Sequence, residues 1–280
     1  MTYRTILVSL NEINRLPQLT AAAAKLGRAF DAHVSGLYVV PAVQVYPSVG
    51  FEAAPQVFEG NRSYFRDHAE TVRAAFEQAM QREGVKFDIR VADARTPLIA
   101  DDVIAHGRSA DLILVSATNP EEVTGVERDF VEQVIMGAGR PVVILPATGE
   151  AALNLDLIVL GWDGGREAAR AAFDAMPLLR VAKNVRIVRA DPQKDPNLRG
   201  SVPGADLAES LARQGVKAET QGFPTDGFDA GQALLRCADD CGAGLIVMGA
   251  YGHSRLTEFI FGGATRFVLS RQNRPVLMSH

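Results

Sequence analysis

The stretch GAYGHSRLTEFIFGGAT, residues 249–265, is the most informative part of this sequence. The apolar run of residues 245–248 precedes it, and this short, branched run ending at a glycine predicts a buried parallel strand. Residues 264–269, at its other end, have helical spacing. Glycines that follow a strand and open a helix permit a tight turn and leave backbone N–H groups exposed at the positive end of the helix dipole. Such an arrangement favours the binding of a phosphate group.

The glycines follow the spacing G-x2-G-x9-G at positions 249, 252 and 262. Ordinary turns are the alternative explanation, but the preceding strand, the following helix and a last apolar strand at 275–278 favour a binding site. The whole set resembles the nucleotide-binding stretch of the universal stress protein family. In that family, the ATP-binding members carry Ser or Thr after the third glycine, where this chain has Gly263. One hydroxyl donor to phosphate is therefore missing, and Thr265 is the candidate replacement.

The composition excludes several classes of protein. The chain has 280 residues, of which 47% are apolar, so it can form one large domain or two ordinary ones. A net charge of −4 argues against a nucleic-acid-binding protein. The sequence lacks the pattern of a secretion signal and any run of about 20 apolar residues, so we expect a cytoplasmic protein without a membrane segment. Cys237 and Cys241 lie four apart in a predicted helix, which favours a core-facing stripe over a redox or metal pair.

An internal repeat divides the chain into two halves. Three strand-like segments recur in the same order, and the last pair shares an Arg-Pro dipeptide: residues 5–11 with 157–163, 111–116 with 244–249, and 139–145 with 273–279. The period of about 140 residues is the size of a domain. We predict one domain at 1–148 and a second at 153–280, joined through the turn-prone residues 146–152.

Each half alternates strands with helices, which predicts two tandem, doubly wound parallel-sheet domains of the Rossmann-like α/β class. Predicted strands are 4–10, 34–40, 85–92, 111–116 and 141–146, then 155–161, 184–190, 216–222, 244–249 and 274–279. Predicted helices are 16–32, 61–83, 97–106 and 127–138, then 165–179, 204–214, 227–241 and 263–271. Residues 41–60 are predicted to be a long loop. Right-handed crossovers should bring the carboxyl ends of strands 155–161 and 244–249 together at a ligand-binding crevice.

The resemblance implies that an adenine nucleotide binds in the second half. Asp163 matches in position the aspartate that lies beside the adenine in the family, although an N-cap of the following helix is an equal alternative. Arg255 is a candidate partner of the phosphates. The predicted nucleotide-binding residues are Asp163, Gly249, Gly252, Arg255, Gly262, Gly263, Ala264 and Thr265. No catalytic or metal-ligating residue is predicted.

The corresponding positions of the first half differ. Asn11 stands where Asp163 stands, and residues 116–119 (SATN) replace residues 249–252 (GAYG). Arg128 and Asp129 replace the glycine pair at 262–263. An aspartate there would repel a phosphate, so we expect no nucleotide in this half, which is a degenerate domain with a structural or regulatory role.

The resemblance further implies a stress-response protein that binds ATP or a related adenine nucleotide, with Mg²⁺ as the accompanying ion. It implies signalling or regulation rather than strong catalysis, and at most slow ATP hydrolysis. The alternative is a protein-interaction or scaffold module of the same fold that binds no nucleotide. An adenylyl-transfer enzyme is disfavoured because a His-x-x-His motif is absent. The implied partners are the nucleotide and unidentified proteins, without nucleic acid or membrane.

Strands 141–146 and 274–279 should lie at sheet edges, where unpaired N–H and C=O groups favour pairing with another strand. The resemblance implies pairing through this strand, because single-domain members of the family form homodimers in this way. We therefore predict an internal pseudodimer, with homodimerisation of the whole chain left optional. A charged residue or proline at Val276 should separate the halves and expose apolar surface, which small-angle scattering would detect. Two independently tumbling domains in the unmodified protein would contradict the pseudodimer.

Overall fold

The computed structural model describes residues 2–43, 54–122, 124–149, 152–191, 204–225, 227–252 and 263–280. The chain divides into two compact units, one of residues 3–150 and one formed mainly by residues 151–280. Each unit contains a five-stranded parallel sheet whose strands are connected through helices.

The first unit has the strand order β3-β2-β1-β4-β5, and its strand pairs are parallel. Its strands are β1 (Thr5–Ser9), β2 (His33–Val40), β3 (Phe87–Asp93), β4 (Leu112–Ser116) and β5 (Val142–Leu145). Its helices are α1 (Leu16–Phe30), α2 (Ala54–Arg82), α3 (Ile99–Gly107) and α4 (Phe130–Ala138), with a short 3-10 turn at Ile13–Arg15. All residues of β4 and β5 are buried, as expected for strands that are covered by helices on both faces.

The second unit has the equivalent strand order β8-β7-β6-β9-β10, and its strand pairs are also parallel. Its strands are β6 (Leu157–Gly161), β7 (Asn184–Ala190), β8 (Ala218–Phe223), β9 (Leu245–Gly249) and β10 (Val276–Ser279). Its helices are α5 (Arg166–Asp174), α6 (Met176–Val181), α7 (Ala205–Arg213), α8 (Ala230–Cys241) and α9 (Gly263–Arg271). The recurring sequence segments therefore correspond to equivalent strands of the two units.

Two of the predicted elements are wrong. The predicted loop of residues 41–60 is too long, because α2 begins at Ala54; Pro55 does not prevent this, since the first helical turn needs no donor from that residue. The single helix predicted for 165–179 is two helices that break at Ala175. Pro177 explains the break, because it cannot donate the hydrogen bond that would continue α5.

The strand order reverses at β6, which pairs with β7 on one side and with β9 on the other. The chain leaves β6 toward β7 and β8, and returns to the other side with β9 and β10. This reversal confirms that the carboxyl ends of β6 and β9 meet at a topological switch point. The pairing of the last strands of the two halves stays a prediction. Over the ranges that the structure describes, no helix has both the length and the hydropathy needed to cross a bilayer.

Candidate functional site

A cavity of about 580 Å³ opens in the second unit at the carboxyl ends of β6 and β9. It is within the size range of small-molecule binding sites. Six of the eight predicted residues line it together: Asp163, Gly249, Gly252, Gly263, Ala264 and Thr265. The other two, Arg255 and Gly262, lie outside the described residues. Residues predicted from widely separated parts of the sequence thus share one cavity.

Gly249, the last residue of β9, sets the distance between this strand and helix α5. A Cβ atom at Gly249 would lie 2.5 Å from the backbone nitrogen of Ala168 and 2.5 Å from the carbonyl carbon of Glu167. Both contacts are with backbone, which cannot move aside as a side chain can. The first turn of α5 can therefore lie against the end of β9 only because residue 249 has no side chain.

The turn after β9 is connected to α9 through Thr265. Tyr251 adopts a left-handed conformation with φ of 58°, and its N–H donates to the Thr265 hydroxyl oxygen over 3.1 Å. Thr265 is buried, with 3% of its surface exposed. The Thr265 hydroxyl oxygen thus accepts a hydrogen bond within the fold. Its O–H can still act as a donor, for example to a phosphate oxygen.

Asp163 is not the N-cap of α5, which was the alternative interpretation of this residue. Gly165 occupies the cap position of α5, in an extended conformation. The Asp163 side chain accepts a hydrogen bond from the Gly165 N–H over 2.7 Å and so stabilises the turn that precedes the helix. The N-cap interpretation is wrong because two glycines separate Asp163 from the first helical residue. The residue is exposed and lines the cavity.

Asp229 and Gly231 line the same cavity and were missed in the sequence analysis. Asp229 caps α8 by accepting a hydrogen bond from the Gly231 N–H over 2.7 Å. A Cβ at Gly231 would lie 2.6 Å from the Ala264 carbonyl oxygen, so this glycine allows the starts of α8 and α9 to approach closely. An aspartate just before a helical pattern is a readable N-cap signal, but its proximity to α9 is a tertiary contact.

Glu167 is a second carboxylate that was missed. It lies in the first turn of α5 with 8% of its surface exposed, and it accepts two hydrogen bonds from the Arg166 guanidinium. Burial raises the pKa of Glu167, but the bonds from Arg166 and from its own N–H outweigh burial and hold the pKa below its usual value. The side chain is therefore ionised at neutral pH. Its Oε2 lies 3.0 Å from the position of a Cβ at Gly252.

Three helix N-termini, those of α5, α8 and α9, border this cavity. The dipoles of α5 and α8 are each compensated by a carboxylate, Glu167 in the first turn of α5 and Asp229 at the start of α8. The first turn of α9, which begins at Gly263, contains no acidic residue. The α9 N-terminus is therefore the one of these three without a carboxylate of its own at the helix start, although Asp229 Oδ2 lies 3.1 Å from the position of a Cβ at Gly263.

The rest of the cavity wall is mainly apolar. Trp162 and Val188 line one part, and Leu234 and Met248 line another. Arg189 contributes a guanidinium group, which lies 3.3 Å from the position of a Cβ at Gly164. Among the described residues, no three or more His, Cys, Asp and Glu side chains are grouped to hold a metal ion. Apolar walls with a few polar groups are typical of sites that bind small organic molecules.

In the first unit, the residue equivalent to Asp163 is Asn11, and its side chain is hydrogen-bonded within the protein. Asn11 is buried; its Nδ2 donates to the Val39 carbonyl over 2.7 Å, and its Oδ1 accepts from the Val39 N–H over 3.0 Å. The amide group that replaces the carboxylate of Asp163 is therefore bonded to strand β2 through both of its polar atoms. Next to it, Glu12 is 4% exposed and accepts a hydrogen bond from Thr124.

Comparison with known proteins supports the fold. A solved universal stress protein from Archaeoglobus fulgidus aligns with a TM-score of 0.72 over 98% of this chain and 97% of that chain, at 16% identity. A functionally unknown protein from Pseudomonas aeruginosa aligns with a TM-score of 0.59 over 99% of this chain and 92% of that chain, at 14% identity.

The chain has the universal stress protein fold. The fold that the sequence resemblance predicted is thereby confirmed. In sequence, a universal stress protein of Methanocaldococcus jannaschii is 34% identical over 47 residues, which are 17% of this chain and 29% of that relative. The match thus spans less than a third of the relative's length. A scan against models of protein families finds no match.

Glu12 should make the stability of the chain depend on pH. Burial raises the pKa of Glu12 from 4.5 to about 7, so the folded state holds this proton more tightly than the unfolded state does. The stability that results is fully present below pH 4.5 and is lost as the pH rises through 7. The difference amounts to about 3 kcal/mol. The variant Glu12→Gln should be more stable than the unmodified protein at pH 8 by this order, and about equally stable at pH 4.5.

Urea unfolding followed by circular dichroism across this pH range would measure the difference. The exposed Glu121 provides a matched control, because Glu121→Gln removes a carboxylate from the same unit and should leave the pH profile unchanged. A profile for Glu12→Gln that runs parallel to that of the unmodified protein would refute the assignment.

Proposed function

We propose that this chain is a stress-response protein of the universal stress protein family, with an adenine nucleotide bound by its second unit. The observation that carries the proposal is the shared cavity of six predicted residues, which includes the start of α9. The proposed domains are 1–148, which is degenerate, and 153–280, which holds the nucleotide. The proposed role is signalling or regulation, as the resemblance to the universal stress protein family implies.

The cavity offers suitable chemistry for each part of such a ligand. The apolar side chains of Trp162, Val188 and Met248 suit an adenine ring. Asp163 can accept a hydrogen bond from a ribose hydroxyl or an amino group. The N-terminus of α9, at Gly263, Ala264 and Thr265, suits the phosphates. Mg²⁺ would supply positive charge among the phosphate oxygens and the nearby Asp229 carboxylate, since it takes oxygen ligands and is usually held by one or two carboxylates.

One observation favours the alternative of a scaffold without nucleotide. A side chain at Gly263 would begin 3.1 Å from Asp229 Oδ2, so a carboxylate stands beside the position where ATP-binding relatives carry a hydroxyl. This charge opposes a polyphosphate unless a cation compensates it. The two proposals differ in a measurable property, which is the binding of ATP to the whole chain.

Isothermal titration calorimetry with ATP and Mg²⁺ would test the proposal. We expect one nucleotide per chain, and a change in the fluorescence of Trp162, which is the single tryptophan and lines the cavity. The variant Gly252→Val should abolish both signals, because its side chain would enter the cavity mouth beside Glu167. The fold should tolerate the change, since the nearest atom to the added Cβ is the end of a flexible side chain.

Gly60→Val is the matched control, because this glycine of α2 has nothing within 4 Å of an added Cβ. It should leave binding unchanged. Two nucleotides per chain, or full binding by Gly252→Val, would contradict the assignment of the site. Absence of binding in the unmodified protein would favour the scaffold.

In the absence of Mg²⁺, the variant Asp229→Asn should bind ATP more tightly than the unmodified protein, by about fivefold for the removal of one nearby charge. Asparagine caps helices as well as aspartate does, so α8 should persist. Adenosine affinity should not change, because adenosine carries no charge. Asp206→Asn, an exposed first-turn aspartate of α7, is the control. Equal gains for adenosine and ATP would show that Asp229 does not lie beside the phosphates.

A further inference from the structure

A second cavity of about 260 Å³ lies in the same unit between helix α8 and the strands β7 and β8. Phe223 lines both cavities, but the other residues of this one are different. Its charged residues are Arg186 on β7, and Arg236 and Asp240 on α8. Its wall also contains Cys237 and Cys241, which are both free thiols and half-buried.

Within the described parts of the chain, neither arginine of this cavity has an acidic partner. Arg186 is half-buried and, among the described residues, forms no hydrogen bond and no ion pair. Arg236 lies over the Phe228 ring, with its guanidinium carbon 4.8 Å from the ring centroid, and likewise has no carboxylate partner in the described parts of the chain. The nearby acids are Asp240 in the cavity wall and Glu219, which is opposite Arg186 in the register of β8. Neither of them is paired with either guanidinium.

Unpaired guanidinium groups favour an anionic ligand. A guanidinium binds a carboxylate or phosphate through two parallel N–H donors. The contact of Arg236 with the Phe228 ring is a cation–π interaction, in which the ring accepts no conventional hydrogen bond from the guanidinium N–H groups. Phe223 and Phe228 add apolar surface, on which the body of an organic anion can pack. The cavity is small, so the ligand must be small as well.

We propose that this cavity, which we call the Arg186–Arg236 pocket, binds a small organic anion through a carboxylate or phosphate head group. The Arg186 and Arg236 guanidinium groups contact the oxyanion, and the phenylalanine rings contact the apolar part. This pocket is separate from the larger cavity, with which it shares only Phe223 as a lining residue.

The two thiols allow a direct test on the full chain, because they are its only cysteines and both line the pocket. They react as thiolates, and they would be alkylated with iodoacetate, which is anionic, and with iodoacetamide, which is neutral. Mass spectrometry gives the two rates for each cysteine. Their ratio cancels any effect of a substitution on the thiol pKa, because both reagents attack the same thiolate.

We expect Arg186→Gln to lower the ratio of the iodoacetate rate to the iodoacetamide rate by about fivefold, and Arg236→Gln to lower it as well. Benzoate and inorganic phosphate serve as probes of the head group. Either should protect the thiols from iodoacetamide in a saturable manner, and the stronger of the two identifies the preferred head group. Arg186→Lys should keep the ratio, since the charge remains, but should weaken this protection, because lysine lacks the paired donors.

The control is Arg213→Gln on α7, which removes an exposed arginine away from the pocket and should change neither quantity. An unchanged ratio in Arg186→Gln, or the absence of saturable protection by both anions in the unmodified protein, would overturn the proposal. If Arg186→Gln fails to fold by circular dichroism, the comparison of Arg186→Lys with the unmodified protein decides the matter through the protection measurement.

Discussion

The close approach of the end of β9 to the first turn of α5 is the contact on which the site depends. No side chain fits at Gly249, because its Cβ would overlap backbone atoms of Glu167 and Ala168. A similar requirement at Gly231 brings the start of α8 to Ala264 in α9. Both contacts place helix N-termini at the carboxyl edge of the sheet, where strand order reverses. The cavity exists at this point because Gly249 allows β9 to approach α5, and Gly231 allows α8 to approach α9.

The two units use the same strand order in different ways at this edge. In the second unit, Asp163 is exposed and is followed by two glycines. In the first, both polar atoms of the Asn11 side chain bond to Val39, and the buried Glu12 lies beside it. Both units have a parallel sheet between helices, and they differ in the side chains at this edge of the sheet. In the first unit the Asn11 amide is bonded to the β2 backbone through both polar atoms, whereas Arg15 Nε and Nη2 are buried without a hydrogen-bond partner among the described residues.

The candidate site contains several carboxylates, which a simple phosphate-binding loop would lack. Asp163, Glu167 and Asp229 all line the cavity; Asp163 precedes α5, and Glu167 lies in its first turn. Glu167 remains ionised because Arg166 bonds to it, although burial alone would favour its protonated form. Carboxylates at two of the three helix N-termini compensate the helix dipoles within the protein. An anionic ligand is then directed to α9, or it must bring its own cation.

The sequence by itself determined the duplicated α/β fold, because branched apolar runs that alternate with helical patterns can be buried only in a parallel sheet between helices. Together with the family resemblance, it also predicted six residues that line the cavity, from the strand–glycine–helix spacing at 249–265 and from the position of Asp163 after the first strand of the second half. It could not show that α2 begins at Ala54, or that Pro177 divides the predicted helix, because such boundaries depend on local backbone hydrogen bonds. Only the tertiary structure placed Glu167 and Asp229 beside Gly252 and Gly263, and grouped Arg186 with Cys237. These neighbours are far apart in the chain, and their contact follows from how helices pack across the sheet.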